Sequence, residues 1–227
     1  MMPRLGWVVT ITILVLTTKA IPAPGGPRVE EQFGNIIFDQ ADGTQRQITN
    51  LHMDGQPTLS PDGKTIAFIR IEGKATVNGE PDFTALWIAD GQSGNIKRLV
   101  GSNTSNDPKL NMQSIHSPTF SLDGHFVYVL ADAWATSAAV HQVNIESGND
   151  RFVIDGNTNK VIRSGQYRGY LLVARHKYYP PPRMGSYNPV DVVRPDGHVE
   201  FTVPGTEIDD GVDRVAPWLH QHGWDAW

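Results

Sequence analysis

The sequence predicts an all-β protein built from repeated four-stranded antiparallel sheets. Three observations favour this fold class: an excess of turn-forming residues, a turn motif that occurs twice, and a further set of regularly spaced turns. The 227 residues include 22 glycines and 16 prolines, together about 17 % of the chain, whereas an average protein has roughly 12 %. Such an excess is typical of a chain with many turns and short strands.

The first 20 residues have the pattern of a secretory signal peptide. Arg4 is followed by a mostly apolar run over residues 5–16, and small residues precede a plausible cleavage site after Ala20. The run is too short for a comfortable transmembrane helix, which needs roughly 20 apolar residues. We therefore predict a signal peptide over 1–20, a flexible lead-in over 21–34 and no membrane span in the mature chain. An uncleaved anchor is the alternative.

A turn motif flanked by two strands occurs twice. Residues 57–63 read PTLSPDG and residues 118–124 read PTFSLDG, which gives five identities in seven positions at a constant offset of 61. The Ser, Asp and Gly of each copy are typical of a type I turn, and an apolar strand follows. Because this second strand is apolar at nearly every position, it is expected to be covered on both faces.

A second hairpin follows the first in each unit, and its turns define a period of about 50 residues. The glycines of these turns lie at positions 43, 94, 148 and 197, so they are 51, 54 and 49 residues apart. Apolar inner strands and a more polar last strand are typical of a propeller blade, whose middle strands lie between neighbouring blades. The alternative is a β-sandwich whose turns coincide with this spacing.

The blade count leaves the closure of a ring open. Residues 35–227 contain three full units, an N-terminal half and a C-terminal half that begins at Pro217 and ends in Trp227. The two halves could pair and close a ring of four blades, which would hide both edges. We favour an open or incomplete array, because the four residues after Gly223 are too few for a good strand. An open array would expose a blade face and allow self-association.

Two stretches carry a resemblance to a known repeat. Residues 57–68 read PTLSPDGKTIAF and residues 86–90 read LWIAD; together they resemble the TolB-type β-propeller repeat, which is WD40-like. The resemblance covers residues 36–203, is strongest over 57–154, and is interrupted in the second copy at Leu122. It implies a partial or complete propeller of about four blades. The N-terminal α/β domain of TolB-like proteins and the hydrolase domain of related peptidases have no counterpart in this sequence.

Composition and motifs argue against several functions. The net charge of −5 disfavours nucleic acid as a partner, and the absence of cysteine excludes thiolate chemistry and cysteine-based metal sites. The sequence contains neither a Gly-x-Ser-x-Gly nucleophile elbow nor a glycine-rich phosphate loop.

Asp62, Asp123 and Asp196 each precede a turn glycine, which indicates a role in the turn. His220 and His222 form a His-x-His pair without an evident third metal ligand. We therefore predict no enzyme, no cofactor and no metal.

The longer loops predict where a partner binds. In an up-and-down blade the short Asp-Gly and Ser-Gly turns share one rim, while the second-to-third loops and the blade connections share the other. Long loops are uncommon without a function, and these carry aromatic residues. The predicted binding residues are Phe83, Trp134, Tyr178, Tyr179 and Tyr187. The alternative is that these rings pack locally and tether the loops.

The preferred interpretation is an exported, non-enzymatic interaction module of the cell envelope. The resemblance implies an envelope protein or a peptide as the partner, and the signal peptide implies a periplasmic or secreted location. Two alternatives stay open: a truncated fragment of a larger propeller protein, and a propeller hydrolase-like enzyme with a shallow pocket on the loop rim. Such a pocket would require carboxylates or histidines that converge at its centre.

Overall fold

A computed structural model describes residues 25–73, 82–207 and 212–224. These residues contain seventeen β-strands, a short 3-10 helix at Pro108–Leu110 and one α-helix, so the predicted all-β class is confirmed. The predicted signal peptide, residues 1–20, lies outside the described residues. Within the described residues, no helix has the length and apolar character needed to cross a membrane.

Four antiparallel sheets follow one another along the chain, and we call them blades 1 to 4. Blade 1 contains β1 (Arg28–Gln32), β2 (Asn35–Asp39) and β3 (Gln45–Gln47). Blade 2 contains β4 (Asp54–Leu59), β5 (Thr65–Gly73), β6 (Phe83–Asp90) and β7 (Ile96–Gly101). Blade 3 contains β8 (Gln113–Phe120), β9 (Phe126–Asp132), β10 (Ala138–Asn144) and β11 (Asp150–Asp155).

Blade 4 differs from the others by an inserted hairpin. It begins with β12 (Lys160–Val161) and β13 (Leu171–Ala174), after which β14 (Lys177–Tyr178) and β15 (Ser186–Tyr187) form a separate two-stranded sheet. The blade is completed by β16 (Val190–Val193) and β17 (Val199–Thr202). In each blade, strands adjacent in sequence pair with each other, except that β13 pairs with β16 across the inserted hairpin.

The repeated turns are held by their serine and aspartate side chains. The Ser60 hydroxyl donates to Asp62 Oδ1 at 2.6 Å, and the Ser121 hydroxyl donates to Asp123 Oδ1 at the same distance. In the first turn the Lys64 amide also donates to Asp62, at 3.1 Å. The Ser60 hydroxyl, followed by this amide, holds the pKa of Asp62 below its usual value. These carboxylates therefore stabilise turns, as the sequence predicted.

Apolar clusters fill the spaces between neighbouring blades. Val129 packs with Leu86 between blades 2 and 3, whereas its neighbour Leu130 packs with Val173 between blades 3 and 4. Successive side chains of β9 therefore serve opposite interfaces, because side chains alternate along a strand. This arrangement explains why the strand is apolar at nearly every position. Within the described residues, the clusters join blades 1 to 2, 2 to 3 and 3 to 4, and none joins blade 4 to blade 1.

A basic residue three positions after the turn glycine connects each of the first three blades to the next. It donates from the outermost strand to a backbone carbonyl in the last turn of the following blade. The contacts are Arg46 to Gln92 O, Lys97 to Glu146 O at 2.7 Å, and Arg151 to Pro195 O at 2.8 Å. The corresponding residue in blade 4 is Glu200, whose side chain has no N–H group to donate.

The predicted C-terminal half-blade is wrong. Residues Val212–Gln221 form an α-helix, α1, and Pro217, the predicted start of a strand, lies inside it. Val215 and Leu219 are buried against the face of blade 4, where they meet Leu172 and Val203. The Pro-to-Gly spacing suggested another hairpin, but this segment lacks the serine and aspartate that hold the other turns. The helix therefore covers the face that a further blade would have covered; residues 225–227 of the predicted strand lie outside the described residues.

The predicted flexible lead-in is wrong in its second half. Arg28–Gln32 is a strand that pairs with β2 in continuous register, and Val29 packs into the cluster between blades 1 and 2. This stretch contains a single apolar residue and therefore shows no alternation of apolar and polar residues. It forms a strand because it pairs with β2, which the local sequence pattern does not indicate. On the other face, Ile37 lies between Glu30 and Gln47. Blade 1 thus presents a largely polar face on the side away from blade 2.

We expect Leu219→Ala to lower the free energy of unfolding by about 2–4 kcal/mol, because it opens a cavity under α1 and uncovers the face of blade 4. Gln221→Ala, at an exposed position of the same helix, is the matched control and should leave stability nearly unchanged. Urea unfolding of both variants measures the difference. Equal small losses would show that α1 does not stabilise blade 4.

Candidate functional site

The loop rim is the end of the array that carries the second-to-third loops and the blade connections. It comprises the β1–β2 turn at residues 33–34, the loops at 133–137 and 175–189, and the connections at 48–53, 102–112 and 156–159. The opposite rim carries the short Asp-Gly and Ser-Gly turns. Strands from different blades end side by side on the loop rim, so side chains distant in sequence meet there.

An open pocket of about 600 Å³ lies on the loop rim between blades 1, 2 and 3. The large apolar residues of its lining are Met53, from the connection between blades 1 and 2, and Ile69, Ile71 and Ile115, from the second strand of blade 2 and the first strand of blade 3. Four carboxylates, Glu31, Asp54, Asp82 and Asp132, line it as well, beside the imidazoles of His52 and His116. The pocket therefore combines an apolar surface with several acidic groups.

A buried ion pair forms part of the pocket wall. Arg70 donates from Nε to Asp54 Oδ1 at 2.6 Å and from Nη2 to Asp54 Oδ2 at 2.9 Å. The guanidinium also lies over the ring of Trp87, 4.3 Å from its centroid. Both charges of the pair are thus satisfied inside the protein, and the Asp54 side chain is fully buried. This pair fixes the start of β4 rather than offering a free charge to a ligand.

His116 and Asp132 lie close together in the lining of the same pocket. The distance from His116 Nε2 to Asp132 Oδ1 is 3.9 Å, and His116 Nδ1 lies 3.0 Å from the Ser117 hydroxyl. Burial lowers the pKa of His116 below its ordinary value, and the attraction of Asp132 offsets part of this effect. The imidazole is therefore neutral at pH 7.

The turn between β1 and β2 presents an exposed aromatic ring at the mouth of the pocket. Phe33 is 89 % exposed and has a φ of 51°, and Gly34 follows with a φ of 74°. Glu31 accepts a hydrogen bond from the Gly34 amide at 2.7 Å, and His52 Nδ1 lies 2.8 Å from the Phe33 carbonyl oxygen. Sequence analysis missed this turn. The Phe-Gly pair before an apolar run was the available signal, although phenylalanine is rare at positive φ.

Three of the five predicted binding residues lie on the inserted hairpin of blade 4. The rings of Tyr179 and Tyr187 stack with centroids 4.6 Å apart at an angle of 17°, and the Arg183 guanidinium lies 3.4 Å from the centroid of Tyr179. Tyr178 is 69 % exposed and contacts His176 edge to face. Tyr179 and Tyr187 thus brace the hairpin, while Tyr178 faces solvent.

Charged groups anchor the base of this hairpin. Arg175 donates to both carboxylate oxygens of Asp155, at 3.1 and 2.6 Å. Asp191, whose side chain is fully buried, accepts from Lys177 at 3.0 Å and from the Thr202 hydroxyl at 2.6 Å. The hairpin therefore projects from a hydrogen-bonded base.

The other two predicted binding residues lie elsewhere on the loop rim. Trp134 packs edge to face against Phe152, with centroids 6.3 Å apart. Phe83 begins β6, where it pairs with Gly73, and is half exposed. Within the described residues, neither ring stacks against the tyrosines of the hairpin. The five residues therefore share a rim but do not form one continuous site.

The His-x-His pair does not form a metal site in the described part of the chain. His220 lies in α1, and His222 follows it and stacks on Trp218 with centroids 4.3 Å apart. Among the described residues, no group of three or more histidine, aspartate or glutamate side chains is arranged to hold a metal ion.

Comparison with known proteins is informative about the fold. No protein-family model matches the sequence, and no curated protein matches it. Among solved structures, dipeptidyl peptidase 4 from Porphyromonas gingivalis is similar with a TM-score of 0.53 and 9 % identity, over 78 % of this chain and 31 % of that chain. At this identity the likeness shows the fold alone.

Two further solved structures are similar to part of this chain. The β-propeller domain of the trilobed protease from Pyrococcus furiosus, described as having an open velcro topology, has a TM-score of 0.49 and 17 % identity over 74 % of this chain and 48 % of that chain. TolB from Acinetobacter baumannii has a TM-score of 0.45 and 18 % identity over 74 % of this chain and 37 % of that chain. The chain spans less than half the length of each of these structures.

The four antiparallel sheets, packed against one another through apolar clusters, define an array of β-propeller-type blades.

We expect the ring protons of His116 to titrate below pH 6.5, the ordinary value for histidine. Because the unfolded chain then binds this proton more readily than the folded chain, this histidine reduces stability as the pH falls below about 6.5. Asp132→Asn should lower the pKa further, since it removes the attraction that offsets burial. NMR titration of the histidine ring protons measures both values. A pKa for His116 at or above 6.5 would contradict the burial of its ring in this pocket.

Proposed function

We propose that this chain is an exported, non-enzymatic interaction module that binds an envelope protein or a peptide through its loop rim. Export to the periplasm or the cell exterior is supported by the charged start, apolar run and small residues of the first 20 positions. The propeller-type fold supplies a rigid scaffold for loops. The function itself is inferred from the surface that those loops present.

The observation that carries the proposal is the distribution of exposed apolar side chains. Nine large apolar side chains are exposed among the described residues, and eight of them lie on the loop rim. These eight are Phe33, Leu51, Met53, Phe83, Leu110, Trp134, Tyr178 and Met184. Exposed apolar groups that concentrate on one face mark an interaction surface, whereas isolated ones do not. Aromatic residues and methionine are also enriched at protein interfaces.

A hydrolase is the competing function, and one arrangement favours it. Ser117, at a φ of 51°, has its hydroxyl 3.0 Å from His116 Nδ1, and Asp132 lies on the other side of the imidazole. However, the 3.9 Å between His116 Nε2 and Asp132 is too long for a hydrogen bond. The Ser117 backbone is also occupied, since its amide donates to Gln56 and its carbonyl accepts from Asn159. We infer that this group has a structural role.

We expect Tyr178→Ala to weaken capture of the partner from an envelope extract by at least tenfold, because an exposed tyrosine is a frequent binding hot spot. The melting temperature should stay within about 1 °C, since loss of an exposed side chain has little effect on stability. Lys64→Ala on the opposite rim is the matched control and should leave capture unchanged. Lower stability with unchanged capture would show that the ring only supports the hairpin.

We expect no covalent labelling of Ser117 when the full chain is incubated with a fluorophosphonate probe, because the imidazole beside its hydroxyl has no carboxylate within hydrogen-bond distance at Asp132. Mass spectrometry of the digested protein locates any adduct. Ser117→Ala is the control for labelling at other serines. Stoichiometric labelling that is lost in this variant would support the hydrolase instead.

A further inference from the structure

We propose that the loop-rim pocket binds a peptide segment in which a lysine or arginine side chain lies beside an apolar residue. The apolar residue would contact the exposed lip formed by Phe33, Leu51 and Met53, and the cation would enter among the carboxylates that include Glu31 and Asp132. The inference rests on the proposed function and names the chemistry of its partner.

Hydrogen bonds and close packing fix the conformation of the turn that carries Phe33. A phenylalanine at positive φ is strained and persists only where its surroundings fix it. Here the Gly34 amide donates to Glu31, and the Gly34 carbonyl accepts from the Asp54 amide at 2.9 Å. A Cβ at Gly34 would lie 2.6 Å from the backbone of His52, so the turn is also packed tightly against the following connection. The strained backbone thus holds an aromatic ring in solvent, as expected for a contact residue.

His52, in the connection between blades 1 and 2, is held next to this turn in a similar way. It also has a positive φ, 58°, and its amide donates to Asn35 Oδ1 at 3.0 Å. Its neighbours Leu51 and Met53 are each about half exposed, at 53 % and 52 %. The connection between blades 1 and 2 therefore carries two half-exposed apolar residues on either side of His52, whose Nδ1 lies 2.8 Å from the Phe33 carbonyl oxygen. Together they form an apolar lip at the pocket mouth.

The negative charge of the pocket favours a cationic side chain as its occupant. Its described lining contains four carboxylates and no lysine or arginine, and one of these carboxylates, Asp54, is paired with the Arg70 guanidinium inside the protein. His116 is neutral at pH 7 and does not offset the remaining negative charge. Within the described residues, no lysine or arginine forms an ion pair with Glu31 or Asp132. A cationic side chain is thus attracted, and an acidic one is repelled.

The size and the apolar wall fit the stem of such a side chain. The pocket volume of about 600 Å³ lies in the usual range for small-ligand sites. Ile71, which is partly exposed, and Met53, which is half exposed, offer apolar contact to the methylene groups of lysine or arginine while the charged head meets the carboxylates. The pocket would therefore bind the cationic residue of a peptide segment, and the lip would contact the apolar residue beside it.

The test uses the full chain and two blocked tripeptides, acetyl-Leu-Arg-Leu-amide and acetyl-Leu-citrulline-Leu-amide, which differ in charge but hardly in shape. Calorimetric titration should show at least tenfold tighter binding of the arginine peptide. Asp132→Asn and Glu31→Gln should each weaken this peptide about fivefold or more and leave the citrulline peptide unaffected. The amide side chain introduced by Glu31→Gln keeps an oxygen that accepts from the Gly34 amide, so the turn is retained.

Two controls separate the lip and general charge effects from the pocket. Phe33→Asn removes the ring but places a residue that tolerates positive φ, and it should weaken both peptides. Glu200→Gln removes the same charge from the outer edge of blade 4 and should change neither. Equal affinity for the two peptides, absence of binding by both, or an equal effect of Glu200→Gln would overturn the proposal.

This outcome is distinguishable from failure of the proposed function. If the tripeptides do not bind but Tyr178→Ala still abolishes capture of the envelope partner, the pocket chemistry is wrong and the interaction function stands. If the arginine peptide binds selectively but no rim variant affects capture, the pocket chemistry holds and the proposed function fails.

Discussion

The inner blades of this protein are thin sheets with apolar side chains on both faces, and both faces must be removed from water. Burial of a valine or leucine side chain contributes roughly 1.5–3 kcal/mol, so a blade becomes stable only when its neighbours are in place. Val129 and Leu130, adjacent in one strand, serve two different interfaces. The two ends of the array satisfy the same requirement differently: blade 1 has a polar outer face, and blade 4 is covered by α1.

This requirement also determines where binding is possible. The blade faces are used in packing, and the outermost strands connect neighbouring blades through Lys97 and the equivalent arginines. The strand ends on the two rims remain accessible. On the loop rim, blades 1 to 3 bring residues as distant in sequence as Glu31 and Asp132 into the lining of one pocket. The pocket is therefore a product of the stacking of blades and not of any single loop.

The features that sequence analysis predicted correctly are those determined by local chemistry. The Ser60–Asp62 hydrogen bond and the turn glycines are encoded within a few residues, so their repetition revealed the blades. Segment Val212–Gln221 was misjudged because a proline-to-glycine spacing was weighed without the serine and aspartate that form the turn. The contact between His116 and Asp132 depends on the pairing of β8 with β9 and on bulges in β8. Such non-local contacts leave no local pattern in the sequence.

The residue three positions after each turn glycine forms its inter-blade hydrogen bond in one direction only, toward the next blade along the chain. Arg46, Lys97 and Arg151 all reach forward along the chain, from one blade to a carbonyl of the next. At Glu200 this forward reach ends, because a carboxylate opposite a carbonyl places two acceptors together with no proton between them. A copy of blade 1 presented to the outer strand of blade 4 would thus find no donor at this point. The hydrogen bond that joins each blade to the next within the array is therefore not available beyond blade 4.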